Sequence, residues 1–113
     1  MDTLNRNHLE QAIITVLQDY LNFLGKDLDN EIKLIIDEKQ KHYLLVETGW
    51  EKNRRIYGNL IHIDLINDKI WIQQDGTEEG IANELVKQGI SPQQIVLAFK
   101  TPERRKITDF AVS

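Results

Sequence analysis

The stretch RIYGNLIHIDLINDKIWIQQDGTEEGIA, from Arg55 to Ala82, decides the fold. Apolar and polar residues alternate through RIYGNLIHIDLI, stop at Asn67-Asp68, and resume in KIWIQQD. That period of two is the mark of a half-buried strand. Asn and Asp tolerate the positive φ of a two-residue type I′ turn. The stretch therefore predicts an antiparallel hairpin running into a helix start at Thr77. In this register Leu65 pairs with Ile70, Ile63 with Ile72 and Ile61 with Gln74 on one face. Asp64 pairs with Trp71, His62 with Gln73 and Leu60 with Asp75 on the other. A slip of one residue would expose the isoleucines, so burial sets the register.

Two more strands are expected before the hairpin, EIKLIIDE and HYLLVETGW. Upstream of them, Leu9, Ile13, Val16, Leu17, Tyr20, Leu21 and Leu24 recur at helical spacing and form one stripe. Asp2 or Thr3 is placed to cap this helix and Gly25 to end it. After the hairpin, TEEGIANELVKQG reads as a second helix. Thr77 is its N-cap, Glu78 and Glu79 suit the positive first turn, and Gly89 suits a left-handed C-terminal position. SPQQ resembles a capping box with Pro92 at the first helical position. IVLAF follows as one turn and then a strand. KITDFAVS, beyond Pro102, is a last extended segment.

The expected class is α+β. A long N-terminal helix precedes an antiparallel meander of about four strands, then a short helix and a C-terminal strand, in a single domain spanning residues 1–113. The length suits one domain with one core. Ile61, Ile63, Ile70 and Ile72 are expected beneath Leu17, Leu21 and Leu85.

Composition narrows the function classes. Hydrophobic residues make up 41% and charged residues 28%, a globular balance. No stretch reaches the roughly 18 apolar residues of a membrane span. The start MDTLNRNHLE has no apolar signal region, and there are no cysteines, which fits a cytoplasmic protein. The missing cysteines also exclude disulfides, thiolate nucleophiles and thiolate metal sites. Net charge is −4, against the basic balance that drives phosphate binding. The candidate nucleic-acid patches are Lys52, Arg54 and Arg55 at one turn and Arg104, Arg105 and Lys106 near the C-terminus.

Extending the pairing through the earlier hairpins places Tyr43, Leu45, Leu34 and Ile36 on the His62 face. One long and one short helix cover one face of such a sheet and leave the other bare. The expected partner surface is therefore Tyr43, Leu45, His62, Asp64, Trp71 and Gln73. Trp and Tyr anchor interfaces because they bury large areas with few torsions. The alternative is that this face is ordinary core under a helix. A homo-oligomer, most simply a symmetric dimer, is the expected self-association.

His62 and Asp64 point the same way, so a carboxylate-oriented base or a metal site is the competing chemistry, with Gln73 and Asp75 to complete it. The plain reading is a cross-strand hydrogen-bond ladder. No motif supplies a third metal ligand, so no catalytic residue, metal or cofactor is assigned. A restriction-type nuclease needs an acidic residue two positions before a lysine. Neither Glu47 nor Asp75 has one. DGTEEG precedes a helix, but Glu78 and Glu79 would repel a phosphate.

Taken together, LLVETGW, RRIYGNLIHIDLINDKIWIQQDGTEEGIANEL, IVLAF and TPERRKITDFAV resemble the XisI family of cyanobacterial proteins, the controlling factors for excision of the fdxN DNA element. The run from Tyr57 to Leu85 is the most specific part. In the last segment Pro102, Arg105, Thr108, Phe110, Ala111 and Val112 match the family pattern. Ser91 departs from it by separating Gly89-Ile90 from Pro92, and Lys100 stands where histidine is common. The resemblance implies an accessory, non-enzymatic role in a developmental genome rearrangement. It implies a XisH-like, nuclease-related protein as partner, with contact to DNA indirect. It carries no catalytic residue onto this chain.

Overall fold

The computed structural model describes residues 3–24 and 30–113. The order is α1 (Thr3–Leu24), β1 (Glu31–Asp37), β2 (His42–Glu51), β3 (Arg54–Ile66), β4 (Lys69–Asp75), α2 (Ile81–Lys87), a 3-10 turn (Pro92–Gln94), β5 (Ile95–Leu97) and α3 (Pro102–Arg105). The expected cap, at Asp2 or the Thr3 side chain, and the stop at Gly25 lie outside the described residues and side chains.

Strands β1 to β4 form the expected antiparallel meander. Asn67 and Asp68 both adopt positive φ, at 48° and 62°, as the type I′ turn requires. β5 adds to β4 in parallel. Parallel neighbours need a crossover, and α2 lies in it. One face of the sheet carries Tyr43, Leu45, Ile61, Ile63, Ile70 and Ile72, all fully buried. Leu9, Ile13, Val16 and Leu17 from α1 and Ile81, Ala82 and Leu85 from α2 join the same cluster, with Leu21 packed at its edge. The expected isoleucine core is confirmed.

Two single-residue bulges in the ladders around His62 change the rest. A regular Lys52-Asn53 turn would pair Tyr43 with His62 and Leu45 with Leu60. Instead the register shifts between Leu45 and Val46, so that Tyr43 pairs with Ile63 and Leu45 with Ile61. Leu60 is the extra residue and packs toward the core cluster. Tyr43 and Leu45, expected on the partner face, therefore lie under the helices, and Leu34 and Ile36 share their side. The second shift falls between His62 and Ile63. His62 pairs with Gln74, Ile61 with Asp75, and Gln73 is the extra residue. Asp75 leaves the His62 face. A bulge puts two residues opposite one and so reverses the alternation beyond it.

The relocated Asp75 sets the start of α2. Its Oδ1 accepts from the Thr77 amide at 2.9 Å and from Thr77 Oγ1 at 2.6 Å, while Oδ2 accepts from the Ile81 amide at 2.8 Å. The helix begins at Ile81, later than expected, because Thr77 to Glu79 are held in this turn, with Thr77 Oγ1 accepting from the Gly80 amide. A carboxylate at a helix start suits the positive end of its dipole. Gly76 donates its amide to the Leu60 carbonyl at 2.7 Å, and a Cβ there would sit 2.9 Å from that oxygen. Gly89 takes φ +94°, as expected at the end of α2. Ser91 Oγ accepts from the Gln93 amide, the expected cap of the following turn.

Among the described residues, the second face is covered only where β4 meets β5. Val96 lies opposite in sense to Ile95 and Leu97 and is fully buried. The C-terminal segment covers this end. It is a short helix and an irregular stretch, not the extended segment expected, and forms one β-bridge with β5, Val96 to Ala111. Arg105 holds it. Its guanidinium donates to the carbonyls of Leu97, Lys100, Ala98 and Val112 and sits 5.6 Å from the Trp71 ring centroid. Lys69 Nζ bonds the Ser113 carbonyl beside it.

α1 is pinned to β2 by a polar contact at the core edge. The Tyr43 hydroxyl donates to Glu10 Oε2, and Lys41 Nζ donates to the same oxygen at 3.2 Å. The Tyr43 bond holds the Glu10 carboxyl below its usual value, opposed by burial and aided by Lys41. Burial, and then the Glu10 bond, push the Tyr43 phenol well above its usual value. With its folded value depressed, Glu10 contributes stability at pH above its unfolded pKa and loses that contribution as pH falls through the folded one. Glu10→Gln is expected to cost on the order of 1–2 kcal/mol at neutral pH. The difference from wild type should shrink near pH 3. Urea midpoints at the two pH values check this, and a pH-independent difference would refute it.

Candidate functional site

On the helix-free face, alternation brings together Ile35 of β1, His42, Leu44, Val46, Thr48 and Trp50 of β2, and Arg55, Tyr57, Asn59, His62 and Asp64 of β3. Trp71 and Gln73 of β4 continue it toward the C-terminal segment. Trp50 is 61% exposed, Tyr57 72% and Ile35 46%, whereas Leu44 and Val46 are half-buried. No helix among the described residues packs on this part of the sheet. The β2–β3 hairpin carries Trp50 past the end of β1 and both Trp50 and Tyr57 past the end of β4. An apolar, aromatic-bearing surface of this kind marks an interaction site more often than an idle one.

The polar centre of the face is a chain of hydrogen bonds across three strands. Asp64 Oδ1 lies 2.6 Å from His42 Nδ1 and 2.9 Å from His62 Nε2. Gln73 Nε2 donates to Asp64 Oδ2 at 3.3 Å. The imidazoles meet edge-on, with centroids 6.2 Å apart. Of the expected partner residues, the structure thus unites His62, Asp64 and Gln73. Trp71 stands at their margin beneath Arg105. Tyr43 and Leu45 are on the other side.

Three residues of this face escaped the sequence reading. His42 shares the strand period with Leu44 and stands directly across from Asp64. Trp50 and Tyr57 fall in the same period, but the bulge at Leu60 hid which face they share.

The basic patches are partly committed elsewhere. Arg55 lies 5.4 Å from the Trp50 ring centroid and donates to the Gly49 carbonyl. Arg54 pairs with Glu51 at 3.5 Å, and Lys52 stands exposed at the turn with φ 57°. Arg105 is turned inward, Lys106 pairs with Glu103 at 3.5 Å, and Arg104 is exposed. On the helix side an open groove of about 730 Å³ runs between α1 and the start of α2. Tyr20 and Phe23 line it together with Asp19, Glu78, Glu79 and Glu84. Burial, then Asp75 and Glu78, raise the Tyr20 phenol. Such an acidic groove opposes a phosphate ligand, as the sequence implied.

One mixed sheet with α1 and α2 on one face, and exposed aromatics of the β2–β3 hairpin on the other, defines a two-layer α+β domain. The chain belongs to the XisI family: the family described as XisI protein matches residues 1–112. Among solved structures, it is similar to a XisI-like protein from Anabaena variabilis ATCC 29413, with 34% identity, a TM-score of 0.84, and 96% of this chain and 99% of that one covered. It is also similar to the fdxN element excision controlling factor XisI from the same organism, with 29% identity, a TM-score of 0.82 and the same coverage. No curated protein matches the chain at a significant level. No helix among the described residues is long and apolar enough to cross a membrane.

Proposed function

We propose that this chain is a non-enzymatic controlling factor for excision of a DNA element, acting by binding a XisH-like, nuclease-related protein through the helix-free sheet face. The observation that carries this reading is the surface of Ile35, Leu44, Val46, Trp50 and Tyr57 around the His42–Asp64–His62 centre. The family membership and the likeness to a solved excision controlling factor support the excision role. The net charge of −4 favours a protein partner over direct phosphate contact.

Co-purification with the XisH-like protein tests it. Binding is expected across moderate salt. The double variant Trp50→Ala/Tyr57→Ala should weaken it at least about tenfold while keeping the wild-type melting temperature, because both side chains are exposed in the free protein. No association at any salt, or wild-type affinity in the double variant, would overturn the proposal. Salt-dependent retardation of duplex DNA by the chain alone, lost on Lys52→Ala/Arg54→Ala, would favour direct DNA binding instead. Light scattering during the same purification separates a homodimer on this face from a heteromeric contact.

A further inference from the structure

The His42–Asp64–His62 cluster has more order than a solvated ladder requires. Its side chains come from adjacent strands, and their donor atoms lie within 4.8 Å of one another. Exposure falls from 45% at His42 to 30% at His62 and 15% at Asp64, so the carboxylate is the sheltered centre and the imidazoles the accessible flanks. Gln73 holds Oδ2 from the third strand and leaves Oδ1 aimed between the two rings. Gln73 is also the extra residue of the β3–β4 bulge, the kind of irregularity that re-aims a side chain.

We propose that His42 Nδ1, His62 Nε2 and Asp64 form a binding site for a first-row divalent transition metal, zinc foremost. Two imidazoles and one carboxylate suit zinc, nickel or copper; magnesium and calcium prefer all-oxygen shells. Three protein ligands leave a fourth position open toward the bare sheet face. To bind a metal, the ring nitrogen of each histidine that faces Asp64 Oδ1 presents its lone pair, with the N–H carried on the other ring nitrogen. In a tetrahedral zinc shell neighbouring donors stand about 3.4 Å apart. Asp64 Oδ1, now 2.6 and 2.9 Å from the two ring nitrogens, would draw back by roughly 0.5–0.8 Å to reach this spacing. Gln73 is the outer partner that orients the carboxylate, as such ligands commonly require.

The test uses tag-free protein stripped with chelator and titrated calorimetrically with zinc chloride in a non-coordinating buffer. The expected result is one zinc per chain and a melting temperature that rises with zinc but not with magnesium. Cobalt should give visible absorption bands of a low-coordinate site. His42→Ala, His62→Ala and Asp64→Asn should each weaken zinc binding at least about tenfold, and Gln73→Ala about as much. His8→Ala, in the one remaining histidine, should leave binding unchanged. Circular dichroism of each metal-free variant verifies folding. The cobalt spectrum of wild-type protein stands independently of any variant. Absence of heat and of cobalt bands at millimolar metal would overturn the proposal, as would wild-type affinity in folded His42→Ala or His62→Ala.

Discussion

Ile63→Ala is expected to lower the unfolding free energy by roughly 2–5 kcal/mol, from lost transfer energy plus the cavity left behind. Ile63 is fully buried. It pairs with Tyr43 on one side and Ile72 on the other, so it sits at the middle of the helix-covered face. Tyr43 is fixed by its bond to Glu10, and Ile72 is locked between β3 and β5. Neither neighbour is free to collapse into the space, which puts the cost toward the upper part of that range. Urea unfolding checks it. A loss below about 1 kcal/mol would mean that the site repacks, or that the helices do not cover this face.

Arg105→Ala is expected to cost roughly 1.5–3 kcal/mol, the scale of hydrogen bonds made by a charged group. The effect should be local as well as global. Four carbonyls lose their donor, those of Leu97, Ala98, Lys100 and Val112, and Trp71 loses the cation above its ring. Without Arg105 the segment from Pro102 onward keeps few ties to β5, chiefly the Ala111 amide to the Ile95 carbonyl. Hydrogen exchange should rise at Ala111 and in β5 while β1 to β3 stay protected, and Trp71 fluorescence should shift toward that of a hydrated indole. Arg105→Lys should rescue little, because an ammonium lacks the planar fork that reaches several carbonyls at once. Unchanged exchange at Ala111 would show that the segment is held by apolar packing of Phe110 alone.

Both results bear on the bare face. Trp71, read from sequence as an exposed anchor, is half-buried beside Arg105. The C-terminal segment caps that end, and the free surface runs the other way, along the β2–β3 arm to Trp50 and Tyr57. The expectation of an uncovered face was sound in kind but displaced along the sheet, because TPERRKITDFAV carries no period that announces where it will pack.

By itself the sequence determined the elements and the turn. Alternating isoleucines set the strands, Asn67-Asp68 set the hairpin, and the stripe from Leu9 to Leu21 set the helix that covers it. These are local properties, written in neighbouring residues and in the cost of exposing a run of apolar side chains. The sequence also held Gly89 and Ser91 in positions whose backbone roles are local. Only the tertiary structure decided which side of each strand faces the helices beyond His62. The bulges at Leu60 and Gln73 each shift a ladder by one residue. Tyr43 and Leu45 go to the core, Asp75 to the start of α2, and His42 comes opposite Asp64. A bulge leaves no period in the chain. It forms because several distant contacts, the Tyr43–Glu10 bond and the Asp75–Ile81 bond among them, together outweigh one unpaired position in the ladder.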